Sequence, residues 1–121
     1  MWLPLIGLLL GLVIGSIFSI RIPAGYARYT ALAILAALDS VLGALRADMQ
    51  DQYDNLVFIS GLVINAFLAV LLTIVGDRLG VELYLAAVIA FGVRMFNNLA
   101  VIRRLLLYRA RRWWQGRSEA D

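Results

Sequence analysis

Two ionisable residues stand deep inside apolar runs of this chain, Asp39 within LAALDSVLG and Arg94 within AFGVRMF. If those runs lie in a membrane, each charge costs about 3 kcal/mol or more in hydrocarbon, so each needs a partner or a task. Two chemistries are open to the pair. An arginine–carboxylate bridge satisfies both groups and fixes how two helices meet, and removing either group strands the other at a cost of about 3 to 5 kcal/mol. Alternatively Asp39 is a protonatable site on a transport path, with Arg94 tuning it. A permanent positive neighbour discourages proton cycling, which favours the bridge. A charge swap, Asp39→Arg with Arg94→Asp, is expected to recover part of what either single alanine loses.

Little other chemistry is available. The chain has no Cys and no His, and all eleven of its basic residues are Arg. Thiolate and imidazole nucleophiles, their metal sites, Schiff-base lysines and the phosphate-loop lysine are therefore excluded. No second intramembrane carboxylate accompanies Asp39, so no acid–base pair is assembled and the chain reads as a non-enzyme that needs no cofactor. The acidic turn Asp48-Met49-Gln50-Asp51-Gln52-Tyr53-Asp54 lacks the glycine and terminal Glu of a calcium loop. Asp54, followed by Asn55 and an apolar run, fits a helix N-cap, and Asp48 and Asp51 form a negative patch.

The elements that must hold Asp39 and Arg94 are membrane helices. Of 121 residues, 63% are hydrophobic and only 16% charged, with a mean hydropathy of +0.86. A soluble domain of this size needs far more polar surface. The predicted fold is all-α and polytopic: four transmembrane helices in two antiparallel hairpins, with spans near 2–20, 29–45, 56–75 and 81–102. Residues 1–108 make up the transmembrane domain, and 109–121 form a basic cytoplasmic tail. Each span can cross a hydrocarbon layer of about 30 Å, the second only just. Short connections make successive helices antiparallel neighbours, so the second and fourth run the same way and Asp39 and Arg94 share a depth. A faint internal repeat has the same consequence, since Asp39 lies ten residues after Tyr29 and Arg94 ten after Tyr84.

Arginine distribution favours both termini on the cytoplasmic side of the membrane. Arg46 and the six arginines from Arg103 to Arg117 then lie inside, and Arg21, Arg28 and Arg78 outside. A re-entrant second segment is the alternative, with three spans and an external N-terminus.

Gly7, Gly11, Gly15 and Ser19 recur every fourth residue and share one face of the first helix, where another backbone can approach closely. That approach serves packing within the chain or self-association. Asn65, Asn97 and Asn98 fit interhelical hydrogen-bond glue, worth about 1 kcal/mol each. Arg103, Arg104, Arg109, Arg111 and Arg112, with Trp113 and Trp114, suit an interface rich in anionic lipid. A basic run this short, tethered at a bilayer, is a poor nucleic-acid site.

Four stretches carry a family resemblance: Met1-Trp2-Leu3-Pro4, LAALDSVLGALRA at 35–47, YDNLVFISG at 53–61 and LGVELYLAAVIAFGVRMFNNLAVIRR at 79–104. Together they resemble the bacterial "small basic protein" family of uncharacterised membrane proteins, over nearly the whole chain. The resemblance implies an inner-membrane role near division or envelope machinery, because members are typically encoded among such genes in Gram-positive bacteria. It implies no catalytic residues. The tail departs from the family in being rich in Arg and Trp where relatives often carry Lys. The function expected is a non-enzymatic membrane interaction or scaffold protein, a homo-oligomer or a partner of an envelope or division protein. The alternative is a small oligomeric transporter or channel using Asp39 and Arg94.

Overall fold

The computed structural model describes residues 2–18 and 21–120. Four α-helices follow one another: α1 (Trp2–Ile17), α2 (Ala27–Met49, entered through a 3-10 turn at Ala24–Tyr26), α3 (Asn55–Leu79) and α4 (Leu83–Ala120). Within the described residues all regular structure is helical, as a lipid solvent demands of backbone that must satisfy its own polar groups. The last three helices, α2 with its leading turn, are long and apolar enough to cross a membrane. The first has 16 residues, about 24 Å at 1.5 Å per residue, against a hydrocarbon thickness of about 30 Å. The shortfall thus falls on the first segment and not on the second, which at 23 residues is longer than its expected 29–45.

Helices α2 and α3 outrun the apolar stretches expected of them, because caps rather than hydropathy stop them. Asp51, at φ 57, takes the left-handed turn after α2, and the Gln52 amide donates back to the Ala47 carbonyl at 2.8 Å. Asp54 caps α3, its side chain accepting from the amides of Leu56 at 2.7 Å and Val57 at 3.2 Å. Gly80, at φ 68, ends α3, so Gly76 to Leu79 belong to the helix and not to the connection. Gly76 is needed there for space, because a Cβ on it would lie 2.6 Å from the Val81 carbonyl oxygen and 2.7 Å from Leu83 Cβ. The tail proves to be an unbroken continuation of α4 to Ala120.

Helices α2, α3 and α4 pack together, α2 most extensively against α4. Leu32 and Ala36 of α2, Ala69 of α3 and Ala87 and Phe91 of α4 form the buried core, backed by Leu35, Ala66, Tyr84 and Val88. Alanines at the crossings let the backbones close up, the packing mode of helices that share a lipid solvent. The buried Thr73 hydroxyl donates to the Ala69 carbonyl one turn back, at 2.9 Å. Large apolar side chains such as Phe67, Ile89 and Phe96 point outward, as lipid permits. In contrast, α1 has a single buried residue, Pro4, and touches the bundle lightly along α2.

Candidate functional site

On α2, Leu32, Ala36 and Asp39 fall at i, i+4 and i+7, and on α4 Ala87, Phe91 and Arg94 repeat that spacing. The first two of each trio are core residues, so helical periodicity carries Asp39 and Arg94 toward the same seam. Arg94 Nη2 stands 3.2 Å from Asp39 Oδ2. The two sides of the pair differ sharply. Asp39 is wholly buried, whereas 53% of the Arg94 side chain is exposed. The contact is close in charge but not aligned as a hydrogen bond, and both Asp39 oxygens lack a hydrogen-bond partner among the described residues.

Further polar ties run along the same parallel seam. Arg28 lies over the Tyr84 ring at 4.9 Å, Arg46 Nη1 donates to Asn98 Oδ1 at 3.2 Å, and Arg109 Nη2 donates to the Met49 carbonyl at 3.1 Å. The partners advance together along α2 and α4, which sets the two helices parallel. The Arg109 contact also serves a carbonyl at the C-terminus of α2, where helix bonding leaves acceptors free. At the opposite end Arg28 Nη1 meets Asp77 Oδ1 at 3.1 Å, and the Tyr29 hydroxyl donates to Asp77 Oδ2 at 3.1 Å.

Beside Asp39 lies a cavity of about 200 Å³ between α2 and α3, reaching the 50–54 connection. Ser40, Tyr53, Asn65 and Arg94 share its wall with Asp39. Among the described residues, the buried side-chain polar atoms without a partner are Asp39 Oδ1 and Oδ2, Ser40 Oγ and Tyr53 Oη, and all four belong to residues lining this one cavity. Sequence reasoning missed Ser40 and Tyr53. Adjacency of Ser40 to Asp39 was a signal of sorts, but no spacing relates residue 40 to residue 53. Burial, and then the charges of Asp54 and Asp48, push the Tyr53 phenol above its ordinary 10.0.

The other anticipated residues are dispersed. Of the asparagines, Asn98 accepts from Arg46, Asn65 lines the cavity, and Asn97 is exposed. Adjacent residues point about 100° apart on a helix, so Asn97 and Asn98 cannot both face α2, and within the described residues Asn97 makes no interhelical bond. A Cβ on Gly7, Gly11 or Gly15 would meet nothing within 4 Å among the described residues, so these three glycines make no close packing there. Ser19, its fourth member, lies outside the described residues. Arg103, Arg104, Arg109, Arg111 and Arg112 are exposed on α4. Trp113 and Trp114 meet edge to face with centroids 5.4 Å apart, and Arg117 covers Trp113 at 5.0 Å. Among the described residues no cluster of three carboxylate, imidazole or thiol groups could hold a metal ion.

Residues 22–107, which hold α2, α3 and most of α4, match a family described as "Protein of unknown function (DUF1290)". The chain is 53% identical over 107 residues to the "Small basic protein" of Bacillus subtilis (strain 168), covering 88% of each chain. The chain belongs to the small basic protein family. Uncharacterised relatives in Mycobacterium bovis and Mycobacterium tuberculosis are 40% identical over 101 residues, 82% of this chain and 84% of theirs. No solved structure matches the chain. The paired Asp39 and Arg94, the cavity and the Arg46–Asn98 bond all fall within the family-matched residues, whereas α1 and the tryptophan pair lie outside them.

Proposed function

We propose that this small basic protein is a non-enzymatic interaction protein of the bacterial inner membrane, assembling with copies of itself or with an envelope or division protein. The observation that carries the reading is the stripe Gly7, Gly11 and Gly15, where a Cβ would meet nothing within 4 Å among the described residues. An apolar helix with a small-residue face and almost no partner inside its own fold is suited to a helix from outside it. Four crossings with both termini cytoplasmic fit the reading. No charge interrupts Trp2 to Phe18, those 17 residues are at the short end of what a bilayer accepts, and a helix apolar on all sides does not rest at a water interface. Proximity to division or envelope machinery comes from the family resemblance alone. The exposed arginines and tryptophans of the tail suit contact with anionic lipid.

Purification from the native membrane into nanodiscs, with mass determination and identification of co-purifying chains, tests the proposal. A stoichiometric envelope or division protein, or a defined homo-oligomer lost in Gly11→Leu, is the expected result. A monomer with no companion, unchanged by Gly11→Leu, would overturn it. Cysteines placed at Trp2 and Ser118 and labelled from outside should both stay unmodified, and labelling at Trp2 alone would favour three spans.

One observation favours a second reading, a small oligomeric transporter: the cavity beside the intramembrane Asp39 and Arg94. Solute flux in liposomes that Asp39→Asn abolishes would establish that class, and absence of flux for a panel of ions and small solutes would dismiss it.

A further inference from the structure

We propose that the cavity beside Asp39 is a water vestibule, entered from the side of the membrane that bears the 50–54 connection, which gives the buried carboxylate access to one aqueous phase only. The inference is independent of whether the protein acts as a scaffold or a transporter. It starts from three residues that line a single cavity, Asp39, Ser40 and Tyr53, which hold the four buried side-chain polar atoms without a partner among the described residues. A buried polar group without a partner is costly, and native structures satisfy nearly all of them with protein or with ordered water.

The chemistry of the wall selects the occupant. The two Asp39 oxygens only accept, while the Ser40 and Tyr53 hydroxyls both donate and accept, so the ligand must do both as well. Arg94 already lies beside the Asp39 carboxylate, and Asp54, the other carboxylate of the lining, sits at the mouth and is engaged as the cap of α3, so the inner wall does not call for a cation. Hydrocarbon can serve none of the four atoms. Water has the donors and acceptors to serve all of them once the wall parts, and about 200 Å³ gives room for several molecules at roughly 30 Å³ each.

Direction follows from the lining. The cavity runs from Asp39 past Gly43, Ala44 and Ala47, successive inward positions of α2, to the exposed Gln52 and Asp54 of the connection. Its polar mouth and its buried carboxylate therefore stand at opposite ends. The four atoms are shielded as the side chains stand, and Arg94, half exposed on a long stem, is the part of the wall best able to move aside.

The natural lack of cysteine makes the test clean. Single cysteines at Ser40, Ala44, Ala47, Gln52 and the lipid-facing Ile34 are treated, in sealed vesicles of each orientation, with a membrane-impermeant cationic methanethiosulfonate reagent. Gln52→Cys defines the side that bears the connection. Ala47→Cys, Ala44→Cys and Ser40→Cys should react from that same side, in falling order, each at least about tenfold faster than Ile34→Cys, because a thiol in apolar surroundings does not ionise. Rates at Ser40 and Ala44 no faster than at Ile34, or reaction only from the opposite side, would overturn the proposal. If Ser40→Cys does not fold, Ala44→Cys, one turn nearer the mouth, decides in its place.

Discussion

Asp39 is fully buried while Arg94, 3.2 Å away, keeps half of its side chain exposed, so the two halves of this ion pair do not share its burden equally. Loss of the arginine leaves a buried carboxylate without its counter-charge. Loss of the aspartate leaves a long cation that can swing toward polar surroundings.

Arg94→Ala should therefore lower stability more than Asp39→Ala, by up to about 3 to 5 kcal/mol if the carboxylate remains charged. Asp39→Asn combined with Arg94→Ala should recover most of that loss. The charge swap is now expected to recover little, since it places an arginine in a buried site that holds an aspartate. Unfolding of the purified variants in mixed micelles ranks them, and equal stability of wild type and Arg94→Ala would remove the pair from the account.

Gly76→Ala should cost about 1 to 3 kcal/mol, because the added methyl meets backbone of the 81–83 segment that has no free rotor to yield. Gly92→Ala, in α4 with nothing within 4 Å of its Cβ, should be neutral or stabilising by up to about 1 kcal/mol. Thermal unfolding of the two alanine variants checks the contrast, and equal shifts would contradict the close approach at Gly76.

Asp54→Ala should weaken the start of α3 by about 1 kcal/mol. Hydrogen exchange should quicken at the Leu56 and Val57 amides, which the carboxylate now holds, while mid-helix amides keep their rates. Unchanged exchange at those two positions would show that the cap contributes nothing.

Tyr53 should ionise above pH 10.0, with burial the largest cause and Asp54 and Asp48 adding to it. The folded phenol holds its proton more tightly than the unfolded one. Its stabilising contribution is therefore complete below pH 10 and is lost as pH rises through the folded value. Phenolate absorbance of wild type minus that of Tyr53→Phe isolates the group, and a midpoint at or below 10 would contradict the environment described.

The charged pair was legible in the sequence because an ionisable residue in an apolar run demands a partner, and short loops put both residues on parallel helices. The cap at Asp54 was legible too, since its signal is local. Helix ends were not. Hydropathy marks where lipid is tolerated, whereas α3 continues to Leu79 until Gly80 turns the backbone left-handed. Gly76 was hidden for the same reason, looking like a loop glycine until the fold-back of Val81 and Leu83 gave it a neighbour. Ser40 and Tyr53 were hidden more deeply, because only the packing of α2 against α3 and its connection brings them to one cavity.

At about 1.5 Å per residue the 38 residues of α4 extend to about 57 Å, nearly twice the thickness of the hydrocarbon layer. One rigid rod thus joins the depth of Arg94 to the exposed tryptophan pair, with Arg109 bracing it against the end of α2. Such a rod has the geometry of a lever: a tilt at the level of Asp39 would be magnified into a larger lateral displacement at Trp113 and Trp114.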